Sequence, residues 1–226
     1  MSLISRGRSV RQKRVGLPLL MVLLLTLTGC QSAWYNVMEQ AGIHKRDLLS
    51  QRVVAARDAQ EYADEQFSSA LSRYKSVVEV PEGELSEAYE ALDAEYQRSE
   101  AAAERVSRRI DAIEEVAQAL FAEWESELDQ YQSEGYRRQS AESLDRTRTR
   151  YAQMIEAMHE VEQTMPPVLR ALNDNVLFLR HNLNARAIGS LEAEVQRLEA
   201  DVASLRARMR TAIERSNGFI REMDAP

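Results

Sequence analysis

The chain has 226 residues, with 29 Lys and Arg against 36 Asp and Glu, a single Cys and 6% aromatic residues. The acidic balance excludes nucleic acid as an expected partner, because binding to phosphate backbones requires a basic surface. One Cys supports neither a disulfide framework nor a thiolate metal site. A composition dominated by Ala, Glu, Arg, Leu, Gln and Ser is typical of long helices, not of a compact α/β enzyme.

Residues 1–29 predict a lipoprotein signal peptide. Basic side chains without any acidic one precede a leucine-rich run over residues 17–27. That run would span only about 16 Å as a helix, roughly half of a ~30 Å hydrocarbon core, so a secretion signal fits better than a permanent transmembrane helix. The sequence Leu27-Thr28-Gly29-Cys30 resembles the lipobox of bacterial lipoproteins. The resemblance implies cleavage before Cys30 and its acylation, and two or three acyl chains form a stable membrane anchor.

The residues after the cysteine favour the outer membrane, facing the periplasm. Gln31 follows Cys30. Under the enterobacterial sorting rule, an Asp at this position keeps a lipoprotein in the inner membrane, so by resemblance to that rule Gln31 favours the outer membrane. Removal of residues 1–29 leaves 24 Lys and Arg against 36 Asp and Glu, a formal net charge of −12. Amphipathic and basic side chains near the anchor are candidates for contact with the membrane or a partner, although a helix start capped by local charges explains the basic ones equally well. These candidates are Trp34, Tyr35, His44, Lys45 and Arg46.

Four stretches of the chain carry apolar or small residues at alternating steps of three and four. Such spacing averages 3.5 residues and keeps one narrow stripe facing a partner helix. Similar lengths and short connections predict one elongated domain over residues 30–226, an all-α antiparallel bundle or coiled coil of about four long helices. Ala, Gln and Ser positions in the first two stripes permit close helix approach, or they face a second copy. The expected helices cover residues 33–79, 84–131, 138–183 and 187–223.

Pro166 and Pro167 interrupt the third stretch. Each proline removes an amide donor and disfavours the helical conformation of the preceding residue. Because the apolar stripe keeps its phase from Val161 to Leu172, we expect a kinked helix that continues, with a chain reversal as the less favoured alternative. The two prolines are therefore a candidate hinge.

Sequence motifs for catalysis or metal binding are weak. Glu156 and His159 match half of a ferritin-like di-iron motif, but His44 and His181 lack the acidic residue three positions earlier that the second half requires. P-loop, nucleophile-elbow and dinucleotide-binding glycine patterns do not occur. We therefore expect no enzyme activity, no catalytic residue, no metal and no cofactor.

Three stretches together resemble an uncharacterised family of proteobacterial envelope lipoproteins, a domain of unknown function. They are residues 35–47, 119–128 and 176–188, and the likeness extends over nearly all of the mature chain. It implies a helical envelope lipoprotein without an assigned activity. It also draws attention to a polar group at a bundle end as a contact surface, comprising His181, Asn182, Asn184 and Arg186.

The leading hypothesis from the sequence is a lipid-anchored periplasmic scaffold, spacer or adaptor of the bacterial envelope. Its expected partners are the lipid bilayer, through acylated Cys30, and envelope proteins or a second copy of the chain. The alternative is a membrane-binding or ligand-binding bundle that opens at Pro166 and Pro167 to expose its apolar stripe.

Overall fold

A computed structural model describes residues 44–81, 84–182 and 185–223, apart from the side chains of residues 185–190 and 193. The described chain forms four helices: α1 (Lys45–Val77), α2 (Leu85–Leu128), α3 (Glu134–His181) and α4 (Ala185–Met223). The predicted all-α bundle of four helices is confirmed. The part of the expected first helix that precedes residue 44 lies outside the described residues.

The helices are antiparallel and form a closed ring, in which each helix packs against the two beside it. Polar contacts between neighbours establish the direction, because residues early in one helix meet residues late in the next. The pairs are Lys45 with Glu123, Glu125 with Arg148, Arg150 with Glu222, and Arg57 with Asn217. We call the end where α1 and α3 begin and α2 and α4 end the near end, and the opposite end the far end.

The core follows the stripes that the sequence predicts. Every stripe position of α1 from Leu49 to Val77 is buried, and in α4 the stripe is buried at Leu191 and from Leu198 to Ala212. Each large apolar side chain taken out of water contributes about 1.5–3 kcal/mol to folding. A single stripe buries little by itself, so the core exists only when the four helices assemble.

The small residues of the first two helices allow close approach within one chain. Alanines on both helices are buried, and α1 and α2 form the most extensive helix pair of the bundle. Close packing between the chain's own helices therefore accounts for the burial of these alanines. The residues are Ala56, Ala59, Ala63, Ala102 and Ala103.

The third helix begins four residues earlier than the sequence predicts. The expected helix bounds leave residues 132–137 to the turn, but Ser133 is the cap: its hydroxyl accepts the Tyr136 amide hydrogen bond at 3.4 Å, and its carbonyl accepts that of Arg137 at 3.0 Å. A capping side chain that satisfies an amide of the first turn sets the start of a helix more strongly than a nearby glycine does. Gly135 therefore lies within the first turn of α3.

α3 runs through Pro166 and Pro167 without interruption, which excludes the chain reversal. Both prolines are exposed, between buried Met165 and Val168. On this outer face the carbonyls four residues earlier, which lose their amide partners, can bond to water. The Thr164 hydroxyl adds a hydrogen bond to the Glu160 carbonyl at 2.6 Å. The kink itself stays a prediction.

Gln60 offers a test of the core. Its side chain is 0% exposed, and neither amide atom has a hydrogen-bond partner among the residues that the structure describes. We expect Gln60→Leu to raise the free energy of unfolding by about 1–3 kcal/mol, because the variant removes two unsatisfied polar atoms from an apolar site. Urea denaturation measures the change.

Gln51→Leu is the matched control, since Gln51 is exposed on the same helix and a surface change has an expected effect within about 0.5 kcal/mol. A Gln60→Leu protein that is less stable than wild type would contradict this account of the core.

Candidate functional site

The candidate contact residues of the sequence lie at opposite ends of the bundle or outside the described chain. Cys30, Trp34, Tyr35 and Asn184 lie outside the described residues, as does the side chain of Arg186. His44 is exposed just before α1, Lys45 pairs with Glu123 at 2.8 Å and Arg46 is exposed, all at the near end. His181 and Asn182 are at the far end, so the structure does not bring the two groups together.

The far-end group is partly structural. The Asn182 side-chain amide donates to the Phe178 carbonyl at 2.9 Å, and its backbone amide donates to Leu179 at 3.0 Å, so Asn182 caps the end of α3. His181 is exposed, and Leu177 and Phe178 on the preceding turn are also exposed. The far end therefore presents apolar and polar side chains side by side.

Tyr74 connects three helices by hydrogen bonds near the far end. Its buried hydroxyl lies 3.1 Å from Asn175 Oδ1 and 3.0 Å from the Leu191 carbonyl, which join α1 to α3 and α4. Burial, and secondarily the charge of Glu194, raises the pKa of Tyr74 well above its ordinary value. The sequence pattern identified Tyr74 only as a stripe residue, because nothing in the local sequence indicates a partner about a hundred positions away.

A cleft of about 800 Å³ opens at the near end. Its walls come from the end of α2, the start of α3, the start of α1 and the end of α4. We call this the near-end cleft and define it by its aromatic and basic lining residues. They are Trp124, Tyr131, Tyr136, Arg46, Arg146 and Arg150.

The cleft lies beside the end of α2 and the start of α3. Lys45, the first residue of α1, pairs with Glu123, and Trp124, Leu128 and Tyr131 follow that position on the α2 stripe. Trp124 and Leu128 are half-buried, and Tyr131 is exposed. The Trp124 indole donates to the Ser140 hydroxyl at 2.8 Å, which fixes the ring between α2 and α3.

Aromatic packing supports the cleft from the core side. The Tyr151 ring lies edge-on to Phe121 and to Phe219, with centroids 5.4 and 6.3 Å apart. Burial, with a smaller contribution from Glu114, raises the pKa of Tyr151 to about 12. Arg148 lies 5.2 Å above the Phe121 ring and pairs with Glu125 at 2.6 Å. These contacts join α3 to α2 and α4 next to the cleft.

His159 links α2 to α3 through two carboxylates. Its Nε2 lies 3.0 Å from Glu114 and its Nδ1 lies 3.1 Å from Glu162. Partial burial alone would lower the pKa of His159, but the hydrogen bonds and charges of the two carboxylates outweigh it, and the pKa is raised. Glu156, its partner in the sequence motif, is exposed. Within the described ranges no group of three His, Cys, Asp or Glu is arranged to hold a metal ion.

The described helices are amphipathic throughout. Among the residues that the structure describes, no helix has an apolar stretch long enough to cross a bilayer.

A protein family described as a protein of unknown function (DUF2959) matches residues 34–223. The chain belongs to this family. The match includes the whole four-helix bundle and the near-end cleft. No protein with curated annotation matches the chain.

The His159 contact generates a pH-dependent prediction. Because the pKa of His159 is raised in the folded state, its contacts with Glu114 and Glu162 stabilise the protein below pH ~6.5, which is the ordinary pKa of His. This stabilisation is lost as the pH rises through the folded-state pKa of His159. His159→Gln should therefore lower the free energy of unfolding at pH 5.5 by a few tenths to about 1 kcal/mol, the range for partly exposed ion pairs, and change it little at pH ~9.

Urea denaturation of wild type and variant at both pH values measures the difference. His181→Gln serves as the control, because His181 is exposed and forms no ion pair within the described chain. A loss for His159→Gln that is larger at the higher pH would contradict the prediction.

Proposed function

We propose that the protein is a lipid-anchored helical scaffold, spacer or adaptor of the bacterial envelope, held in the outer membrane by acylated Cys30 and facing the periplasm. The observation that carries this proposal is the lipobox-like sequence Leu27-Thr28-Gly29-Cys30 directly after a basic and a leucine-rich segment. Acyl chains on Cys30 supply the membrane attachment, and the helical bundle supplies the part that faces the periplasm.

Contacts across every helix interface support a bundle of fixed geometry. One of them is the pair of Asp64 and Arg206 between α1 and α4, in which two guanidinium nitrogens donate to the two carboxylate oxygens at 2.8 and 2.9 Å. Bidentate geometry makes such a pair more specific than a single contact. Opening the bundle would break these pairs together with the apolar core, so the closed form is suited to hold two partners at a set separation.

The placement of the candidate contact residues suits a spacer. α3 has 48 residues and is about 72 Å long as a regular helix. Its start contributes to the near-end cleft, and its end carries exposed Leu177, Phe178 and His181. We infer that the near end faces the membrane and that the far end meets an envelope protein or a second copy. The proposal includes no catalytic residue, metal, cofactor or nucleic acid.

A second candidate function is a membrane-binding or ligand-binding bundle that opens at Pro166 and Pro167. One observation favours it: the two prolines remove two backbone hydrogen bonds from the middle of α3. In this proposal the prolines form the hinge, and the buried face of α3 at Met165 and Val168 becomes the binding surface.

The anchor is tested by mass spectrometry and fractionation of cells that express the full chain. We expect the wild-type protein to begin at a lipid-modified Cys30 and to fractionate with the outer membrane. Cys30→Ser should lose both the modification and the membrane attachment, whereas Ser32→Ala, a small change two residues away, should keep them. A wild-type protein with an unmodified Cys30 in the soluble fraction would contradict the proposal.

A further inference from the structure

We propose that the near-end cleft binds the phosphate groups of anionic lipid headgroups in the membrane that holds Cys30. The inference rests on the proposed anchor and adds to it a second, non-covalent contact with the same bilayer. It assigns a ligand class to Arg46, Arg146 and the aromatic residues of the cleft.

Arg46 and Arg146 of the cleft are available to an anion, whereas Arg150 is not. Arg150 pairs with Glu222 at 3.3 Å, and Arg146 donates to the Ser143 hydroxyl at 2.9 Å. Neither Arg46 nor Arg146 has a carboxylate partner in the part of the chain that the structure describes. A guanidinium group can donate two parallel hydrogen bonds to a phosphate, which makes arginine well suited to this ligand.

The charge of the cleft differs in sign from that of the whole chain. Among the residues that the structure describes, its lining contains three arginines against two carboxylates, Asp145 and Glu222. The chain after residue 29 carries a formal net charge of −12. A positive cleft on an acidic protein is a local exception, and it gives an anionic surface a defined place to bind while the rest of the molecule is repelled.

The aromatic residues of the cleft suit the headgroup region of a bilayer. Tyr131 is 42% exposed and Tyr136 is 66% exposed, and both line the cleft beside Trp124. Tyrosine and tryptophan rings are enriched at membrane interfaces, because an apolar ring and a polar atom are both satisfied there. Exposed aromatic rings next to unpaired guanidinium groups therefore match both parts of a phospholipid headgroup.

The length of chain after the anchor sets an upper limit on the distance between the start of α1 and the bilayer. Residues 31–44 connect Cys30 to the first residue of α1 and can span at most about 50 Å when fully extended. α1 begins at the near end, where Arg46 lines the cleft. A short tether raises the effective concentration of membrane phosphate at this cleft, so a weak individual contact is sufficient.

The test uses the acylated full chain with Trp34→Phe, so that Trp124 is the remaining tryptophan of the two. The protein is inserted into vesicles of phosphatidylethanolamine with or without phosphatidylglycerol, and quenching of Trp124 fluorescence by the neutral quencher acrylamide is measured. We expect phosphatidylglycerol to reduce the quenching. The reduction should be lost in the Arg46→Gln/Arg146→Gln variant.

Arg73→Gln/Arg170→Gln is the matched control, because it makes the same charge change at exposed positions away from the cleft. It should keep the wild-type response, and circular dichroism should show unchanged helix content in both variants. An equal loss of the phosphatidylglycerol response in the control would show that the response is a general charge effect and would overturn the proposal. Wild-type quenching that does not change with phosphatidylglycerol would also overturn it.

A further arm adds inorganic phosphate to vesicles of phosphatidylethanolamine alone. Equal protection of Trp124 by free phosphate would assign the cleft to a soluble anion and overturn the lipid proposal. The intact mass of each sample shows whether Cys30 is acylated, and so separates failure of the cleft proposal from failure of the anchor proposal. Acylated protein without a lipid response would overturn the cleft proposal alone, whereas protein that is never acylated would overturn the anchor and the cleft proposal together.

Discussion

The narrow apolar stripe of each helix is the constraint on which the rest of the structure depends. One stripe, or a pair, leaves apolar residues in water, so most stripe residues are buried only in the closed antiparallel ring. This requirement explains the similar helix lengths, the short connections and the charged outer faces. It also explains why α3 continues through Pro166 and Pro167: residues on both sides of the prolines belong to the same buried stripe, and the prolines lie on the exposed side.

Within this ring, a few side chains make contacts that differ from one helix interface to the next. Buried alanines bring α1 and α2 close together, Tyr74 joins α1 to α3 and α4, and His159 joins α2 to α3. Gln60 lies in the core without a hydrogen-bond partner. Buried polar residues in helical bundles commonly restrict register and partner choice at a cost in stability, and this is a physical reason for a glutamine at an apolar position of α1.

The sequence predicted the helix number and the core of this fold, because three-four spacing is a local signal that survives in every stripe. It did not locate the start of α3, since Ser133 and Gly135 are both good boundary residues and only the backbone hydrogen bonds distinguish them.

Arg46 was identified as a candidate from its local charge and its distance from Cys30. Trp124, Tyr136 and Arg146 were missed as members of a site, because they come together only when α2 and α3 turn back on each other. The contact of His159 with Glu114 was missed for the same reason, although the spacing to Glu162 on its own helix was visible.

The proposed scaffold and the alternative bundle that opens at the prolines differ in one physical respect. In the scaffold α3 stays packed against its neighbours at the membrane, and in the alternative it does not. Electron paramagnetic resonance distance measurement between spin labels on introduced cysteines, at exposed Ser72 of α1 and exposed Gln163 of α3, tests this directly in the acylated protein. The account predicts one narrow distance distribution that is the same in detergent and in vesicles containing phosphatidylglycerol. A second, longer distance that appears only in the vesicles would contradict it.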